Sequence, residues 1–236
     1  MKQIIAMGGG GFSMEPENPL LDGYILKQSP STLPKICFIP TASGDAEGYI
    51  ERFYEAFKNY SCIPSHLSLF KPTTSNMEDF IMDKDILYVG GGNTKNMIVL
   101  WKKWGLDKYL RKAWESDIIL AGLSAGSICW FEEGITDSEP GELTQLECLG
   151  FLKGSSCPHY DGEANRRAAY HKLLLNGEIG SGIAMDDGAA VHFHDNQIYK
   201  VISSRPHAKA YHLKNVNNQV IETKLEPIFL GDSRTK

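Results

Sequence analysis

The chain passes repeatedly from a short run of Ile and Val to a longer amphipathic window, and few folds accommodate that rhythm. Residues 3–7, 35–40, 66–70, 85–89 and 118–121 read as strands. Between them, residues 20–28, 49–58, 77–82, 94–104 and 107–116 carry apolar side chains at three- and four-residue spacing, the mark of helices with one buried face. Strands alternating with helices predict βαβ units, and hence a mostly parallel sheet with helices on both faces, a three-layer αβα sandwich. From about Ile183 the texture changes. Residues 189–193 and 197–203 flank His-Asp-Asn, and 210–214 and 219–224 flank Asn-Val-Asn-Asn, so the C-terminal part reads as two antiparallel hairpins. No repeat, low-complexity tract or linker interrupts the 236 residues, which predicts a single domain over 1–236 with a frayed tail at 231–236.

Composition excludes several classes of function. Lys plus Arg number 24 and Asp plus Glu 29, a net charge of −5 with no basic stripe for phosphate backbones, so nucleic acid is not an expected partner. Apolar runs hold only a handful of residues, against the 18 or so of a spanning helix, so no membrane partner is expected. The apolar stretch 4–7 is shorter than the roughly 7–15 residues of a signal peptide and predicts the first core strand of a cytoplasmic protein. Five cysteines, odd in number and without closely spaced Cys/His pairs, predict free thiols and no metal site.

Open parallel sheets bind ligands beyond the carboxyl ends of their strands, and the glycines cluster there: Gly8–Gly11, 41–44, Gly90–Gly92 and 122–126. The last loop lies in Asp117-Ile-Ile-Leu-Ala-Gly122-Leu-Ser124-Ala-Gly126-Ser-Ile-Cys-Trp-Phe131, an apolar strand, a tight turn and an expected apolar helix. Its G-x-S-x-G form places Ser124 on a strained turn with its hydroxyl in the open, and the N–H of Ala125 opens the helix where an oxyanion could form. A nucleophilic serine needs a base, and the base an orienting group. Among seven histidines, His159 follows a stiffening proline, with His207 as second choice. Asp186 and Asp187 end the strand 182–185, and from extended backbone only one of them can face a given imidazole. Two orders stay open: Ser124, Asp186 or Asp187, then His207 or His212, as in α/β-hydrolases, or Ser124, His159, Asp187.

Gly8–Gly11 fails as a dinucleotide loop because Ser13 occupies the last position of the pattern and Pro16 follows, and Gly90–Gly92 lacks a phosphate-loop lysine. No cofactor is expected.

Four segments taken together resemble the peptidase E family of serine peptidases, whose fold is related to class I glutamine amidotransferases (flavodoxin-like). They are Ile86-Leu-Tyr-Val-Gly90-Gly91-Gly92-Asn93-Thr94, Gly122-Leu-Ser124-Ala-Gly-Ser, Pro158-His159-Tyr160 with Arg166 and Arg167 downstream, and Gly182-Ile-Ala-Met-Asp186-Asp187-Gly188. The resemblance implies Ser124 as nucleophile, His159 as general base and the Ser, His, acid order. It implies oxyanion N–H groups at Gly91, Gly92 and Ala125, with Asn93 beside them in the substrate-binding region. The family's acid is often a glutamate before glycine, and here Asp187, one methylene shorter, precedes Gly188; Asp137 is the counterpart of another acid considered for the family. Arg166, or Arg167 next to it, corresponds to the arginine that reads a substrate's N-terminal aspartate. The resemblance thus implies a serine peptidase acting on short peptides, aspartyl dipeptidase-like; a monomer or homodimer is expected. Alternatives are another amide hydrolase on the same fold, cyanophycinase-like or glutaminase-like, or a catalytically silent binding protein.

Overall fold

A computed structural model describes residues 1–231, and the expected tail lies, from residue 232 on, outside the described residues. The main sheet holds eight strands. They are β1 (Gln3–Met7), β2 (Lys35–Ile39), β3 (Ile63–His66), β4 (Ile86–Val89), β5 (Ile119–Leu123), β10 (Ala189–His194), β11 (Gln197–Ser203) and β14 (Ile228–Phe229), in the order β14-β11-β10-β1-β5-β4-β2-β3. From β1 to β3 every pairing is parallel, while β10 runs antiparallel to β1 and β11 antiparallel to β10.

Successive strand residues face opposite sides, so each parallel strand needs apolar residues at nearly every position. Ile5, Met7, Phe38 and Tyr88 pack with Phe12 of α1 (Gly11–Met14), Leu21 and Ile25 of α2 (Leu20–Leu26) and Phe53 and Phe57 of α3 (Glu47–Phe57). Ile4, Ala6, Ile39, Leu87 and Leu120 face the other way. They meet Ile81 of α4 (Met77–Met82), Met97 and Trp101 of α5 (Thr94–Trp104), and Leu110 and Ala113 of α6 (Leu106–Glu115). Each fully buried Phe or Ile in these layers contributes roughly 1.5–3 kcal/mol through removal of apolar surface from water. The expected three-layer arrangement is therefore present, with its mostly parallel sheet and both C-terminal hairpins.

A second sheet departs from the sequence reading. The expected apolar helix after the turn at Ser124 is only α7 (Ala125–Ile128), and the chain then enters β6 (Phe131–Thr136). With β7 (Thr144–Glu147), β8 (Leu152–Cys157), β9 (Gly182–Met185), β12 (Ala210–Val216) and β13 (Gln219–Leu225) it forms a sheet ordered β13-β12-β9-β8-β6-β7. Phe131 and Phe193, rings edge-on at 5.8 Å, join this sheet to the main one. On its outer side lies α8 (Arg166–Asn176), through Tyr170, Leu173 and Leu174.

The strand expected at 66–70 lies earlier, at β3. Leu67 and Leu69 are buried, so the apolar pattern there reports burial, while the backbone N–H groups of Leu69 and Phe70 and the Ser68 hydroxyl donate to the Asp45 carboxylate instead of to a ladder. All five cysteines are free thiols. No helix among the described residues is long and apolar enough to cross a membrane.

Candidate active site

The carboxyl end of β1 carries two other segments on consecutive carbonyls. The Ser124 N–H donates to Met7 O at 3.3 Å and the His159 N–H to Gly8 O at 3.2 Å. Ser124 follows β5 with φ 54° and ψ −118°, a backbone region that costs a non-glycine residue about 1–3 kcal/mol. Its flanking glycines are required by contact: a Cβ on Gly122 would stand 2.2 Å from Gly126 O, and one on Gly126 2.2 Å from Val89 O. The strand thus turns back tightly on itself and leaves the Ser124 side chain half-buried at the apex. Among the described residues the hydroxyl has no hydrogen-bond partner.

His159 also has a positive φ, of 53°, and its Nδ1 lies 2.6 Å from Asp187 Oδ1. The imidazole and carboxylate are 12% and 11% exposed. With Nδ1–H donating to the carboxylate, the neutral ring keeps its lone pair on Nε2. Burial alone would raise the Asp187 carboxyl. The His159 hydrogen bond and charge, with Arg205 and Arg166 farther off, outweigh it and hold the group below the usual carboxylate range. The Asp187 N–H donates to Asp161 Oδ1 at 2.8 Å. Asp186 points elsewhere: its Oδ2 accepts from the Lys209 N–H at 2.9 Å, and burial, helped by the Asp161 charge, pushes its carboxyl up to about 6.

The other candidates separate from this pair. Asp137 is 66% exposed and lies 3.7 Å from the Arg166 guanidinium. His207 is exposed. Arg166 is 2% exposed, with Nε donating to Glu163 Oε2 at 2.6 Å and Nη1 to Ile135 O at 3.2 Å. Arg167 is half exposed and spent on Glu222, which also receives Tyr160 and His171. Asn93 caps α5, its Oδ1 accepting from the Asn96 N–H at 2.9 Å while Nδ2 donates to Ser138 O at 2.9 Å.

The Gly90–Gly92 loop lies against the serine, since a Cβ on Gly91 would stand 3.2 Å from Ser124 Cβ. Gly90 N–H donates to Ile39 O, Gly91 N–H to the Tyr49 hydroxyl and Asn93 N–H to Ala42 O. Among the described residues the N–H of exposed Gly92 has no partner, and neither has that of Ala125, the first residue of α7. The sequence expectation for Gly91 therefore meets a competitor, because its donor is already engaged.

Two site features escaped the sequence reading. Gly9 underlies the pair: a Cβ there would be 2.1 Å from Asp187 Oδ1, 2.9 Å from Met14 Sδ and 3.0 Å from His159 Cε1. Its only signal was membership of the first glycine loop. Tyr49, on α3, gave no signal beyond a buried-face position. A cleft of about 620 Å³ beside Tyr24, Tyr60, Ile202 and Leu230 includes none of these groups, so chemistry and not volume singles out the site.

Residues 4–201 match the model of peptidase family S51. Over 231 residues, 98% of this chain and 100% of the other, the sequence is 59% identical to the uncharacterized peptidase YgaJ of Bacillus subtilis (strain 168). It is 25% identical over 134 residues to the uncharacterized peptidase Lmo0363 of Listeria monocytogenes serovar 1/2a (strain ATCC BAA-679 / EGD-e), covering 53% of this chain and 65% of that one. The crystal structure of a peptidase from an acI-B1 Actinobacterium has the same fold, with a TM-score of 0.67 at 18% identity over 96% of this chain and 95% of that one.

Proposed function

The chain belongs to peptidase family S51, and from that premise we propose that it is a serine peptidase that hydrolyses peptide bonds in short peptides through an acyl-enzyme on Ser124. The observation that carries this reading is the common suspension of Ser124 and of the His159–Asp187 pair from the adjacent carbonyls of Met7 and Gly8.

In the proposed reaction Ser124 Oγ attacks the substrate carbonyl carbon as its proton passes to His159 Nε2. The carbonyl oxygen becomes an oxyanion that accepts from the N–H groups of Gly92 and Ala125. With only four residues, α7 adds little macrodipole, so the donors themselves carry this stabilisation. Collapse of the tetrahedral intermediate breaks the C–N bond, and His159 returns the proton to the leaving amine. A water molecule then repeats the sequence on the ester: His159 takes its proton, the C–Oγ bond breaks and Ser124 recovers its hydrogen. Asp187 stays ionised, orients the ring and balances the imidazolium.

The finer reading is a preference for an N-terminal aspartate, through Arg166. Its third nitrogen, Nη2, lies 3.7 Å from the exposed Asp137 carboxylate, and a substrate carboxylate that takes the place of Asp137 gains a charge-assisted contact with a desolvated guanidinium. The test is a dipeptide library varied at both positions, assayed with wild type and Ser124→Ala. Hydrolysis that disappears in the variant supports the reading. Hydrolysis that survives, or none with either protein, contradicts it and leaves an amide hydrolase of another kind or a binding protein.

A further inference from the structure

We infer that Tyr49 is a positioning residue for the reaction: its hydroxyl removes the Gly91 N–H from the oxyanion site and fixes the loop so that Gly92, with Ala125, supplies the donors. The inference rests on the serine-peptidase reading above and adds a residue to it.

Gly90 N–H is held by Ile39 O at 3.2 Å, Gly91 N–H by Tyr49 Oη at 3.2 Å and Asn93 N–H by Ala42 O at 2.8 Å. Gly92 lies between two pinned peptides and its donor has no partner among the described residues, and its φ of 138° belongs to a region that favours glycine. A Cβ on Gly92 would stand 2.2 Å from Ala42 O, so this backbone path also requires glycine sterically. Two pinned neighbours restrict the Gly92 peptide, and a preorganised donor is what stabilises developing charge without reorganisation.

Tyr49 is itself immobilised. Its ring packs against Phe12 and Phe38 and is 7% exposed, and its O–H donates to Ser13 Oγ at 2.8 Å. One hydroxyl therefore accepts from the Gly90–Gly92 loop beside the nucleophile and donates to the Gly8–Glu15 segment, whose Gly9 touches His159 and Asp187. Burial raises the phenol, more than its hydrogen bonds lower it, so it remains protonated and able to donate. Among the described residues, no side chain other than Tyr49 reaches the Gly91 N–H.

The experiment compares Tyr49→Phe and Ser13→Ala with wild type on a hydrolysed dipeptide, with kcat expressed per active site titrated by a fluorophosphonate. Phenylalanine keeps the packing and frees the Gly91 N–H. The expected result is a kcat per titrated site at least tenfold lower with KM within threefold, and a smaller fall in Ser13→Ala, which leaves the Gly91 contact in place. A kcat per titrated site within twofold of wild type in Tyr49→Phe overturns the inference, as does a Ser13→Ala loss equal to or larger than that of Tyr49→Phe. Because Ser124→Ala abolishes turnover if the serine-peptidase reading is right, a neutral Tyr49→Phe beside an inactive Ser124→Ala rejects this inference alone.

Discussion

Asp187 Oδ1 lies 2.6 Å from His159 Nδ1, and glycines leave room for the carboxylate on both sides: a Cβ on Gly9 would be 2.1 Å from Oδ1 and one on Gly162 2.5 Å from Oδ2. The pair is therefore held as much by what is absent from its neighbours as by its own hydrogen bond. Gly9→Ala should displace the carboxylate and with it the imidazole. We expect kcat to fall by roughly 10²-fold or more, since a shift of about 1 Å can cost that much, while the fold survives with a loss of about 1–3 kcal/mol from overpacking. Far-ultraviolet circular dichroism with dipeptide kinetics checks it; a fully active Gly9→Ala contradicts the role of the pair.

Asp187→Asn keeps the shape and removes the charge. An amide nitrogen facing Nδ1 favours the ring tautomer with its proton on Nε2, where the reaction needs a lone pair, so kcat should fall by about 10³–10⁴-fold. Asp137→Asn should leave kcat nearly unchanged on neutral dipeptides, because Asp137 faces Arg166 and not His159. The opposite ranking of the two variants would make Asp137 the orienting acid.

The same Asp137→Asn variant tests specificity. Removing the carboxylate that competes for Arg166 should lower KM for Asp-Xaa dipeptides threefold or more and leave Ala-Xaa dipeptides unaffected. Arg166→Ala is a poorer probe: Glu163 is half exposed and stays solvated, but the Ile135 carbonyl loses its donor beside a buried gap, at a cost on the order of 1–3 kcal/mol. Equal KM changes on both substrates in Asp137→Asn would remove the aspartyl reading.

A buried acid outside the site sets a pH dependence of stability. Asp22 lies under the glycine loop, 3.1 Å from the Tyr88 hydroxyl, and burial pushes its carboxyl up to about 7 against the Tyr88 and Phe12 hydrogen bonds, with Glu15 adding to the rise. A raised carboxyl means that the folded chain binds more protons than the unfolded one between about pH 4 and 7, so stability falls as pH rises through that window and is lowest above it. From the ordinary carboxyl value of 3.8 to about 7, at about 1.4 kcal/mol per pH unit, the upper figure is on the order of 4 kcal/mol. Asp186, raised to about 6, adds in the same direction with a smaller shift. Thermal melts of wild type and Asp22→Asn at pH 5 and 8 should show a Tm drop several degrees larger in wild type; equal drops would exclude Asp22 as the source.

What the sequence could and could not reveal follows from the range of the forces involved. The parallel strands were legible because burial on both faces writes apolar residues at nearly every position, and Thr94–Trp104 was legible from its own period, with the Asn93 cap and Gly105 at φ 74° marking its ends. The turn at Ser124 was legible because its two glycines are demanded by backbone contacts a few residues away. By contrast β6, β7 and β8 read FEEGIT, TQLE and LKGSSC, with charges and glycines that give no two-residue alternation, and only their neighbours across the sheet make them strands. The burial of Arg166 and the reach of Tyr49 to Gly91, 42 residues away, are tertiary and leave no local trace. The pairing of His159 with Asp187 could be listed among alternatives but not chosen from spacing, since 28 residues of chain separate them.

The central claim, that Ser124 is an activated nucleophile, is tested most directly by reaction with a fluorophosphonate followed by peptide mapping. The expected result is a single phosphonylated residue, Ser124, with labelling lost in Ser124→Ala and slowed at least 10²-fold in His159→Ala, since an unassisted serine hydroxyl is a weak nucleophile. An unlabelled Ser124 in the folded wild-type protein, or labelling at the same rate when His159 is removed, would contradict it.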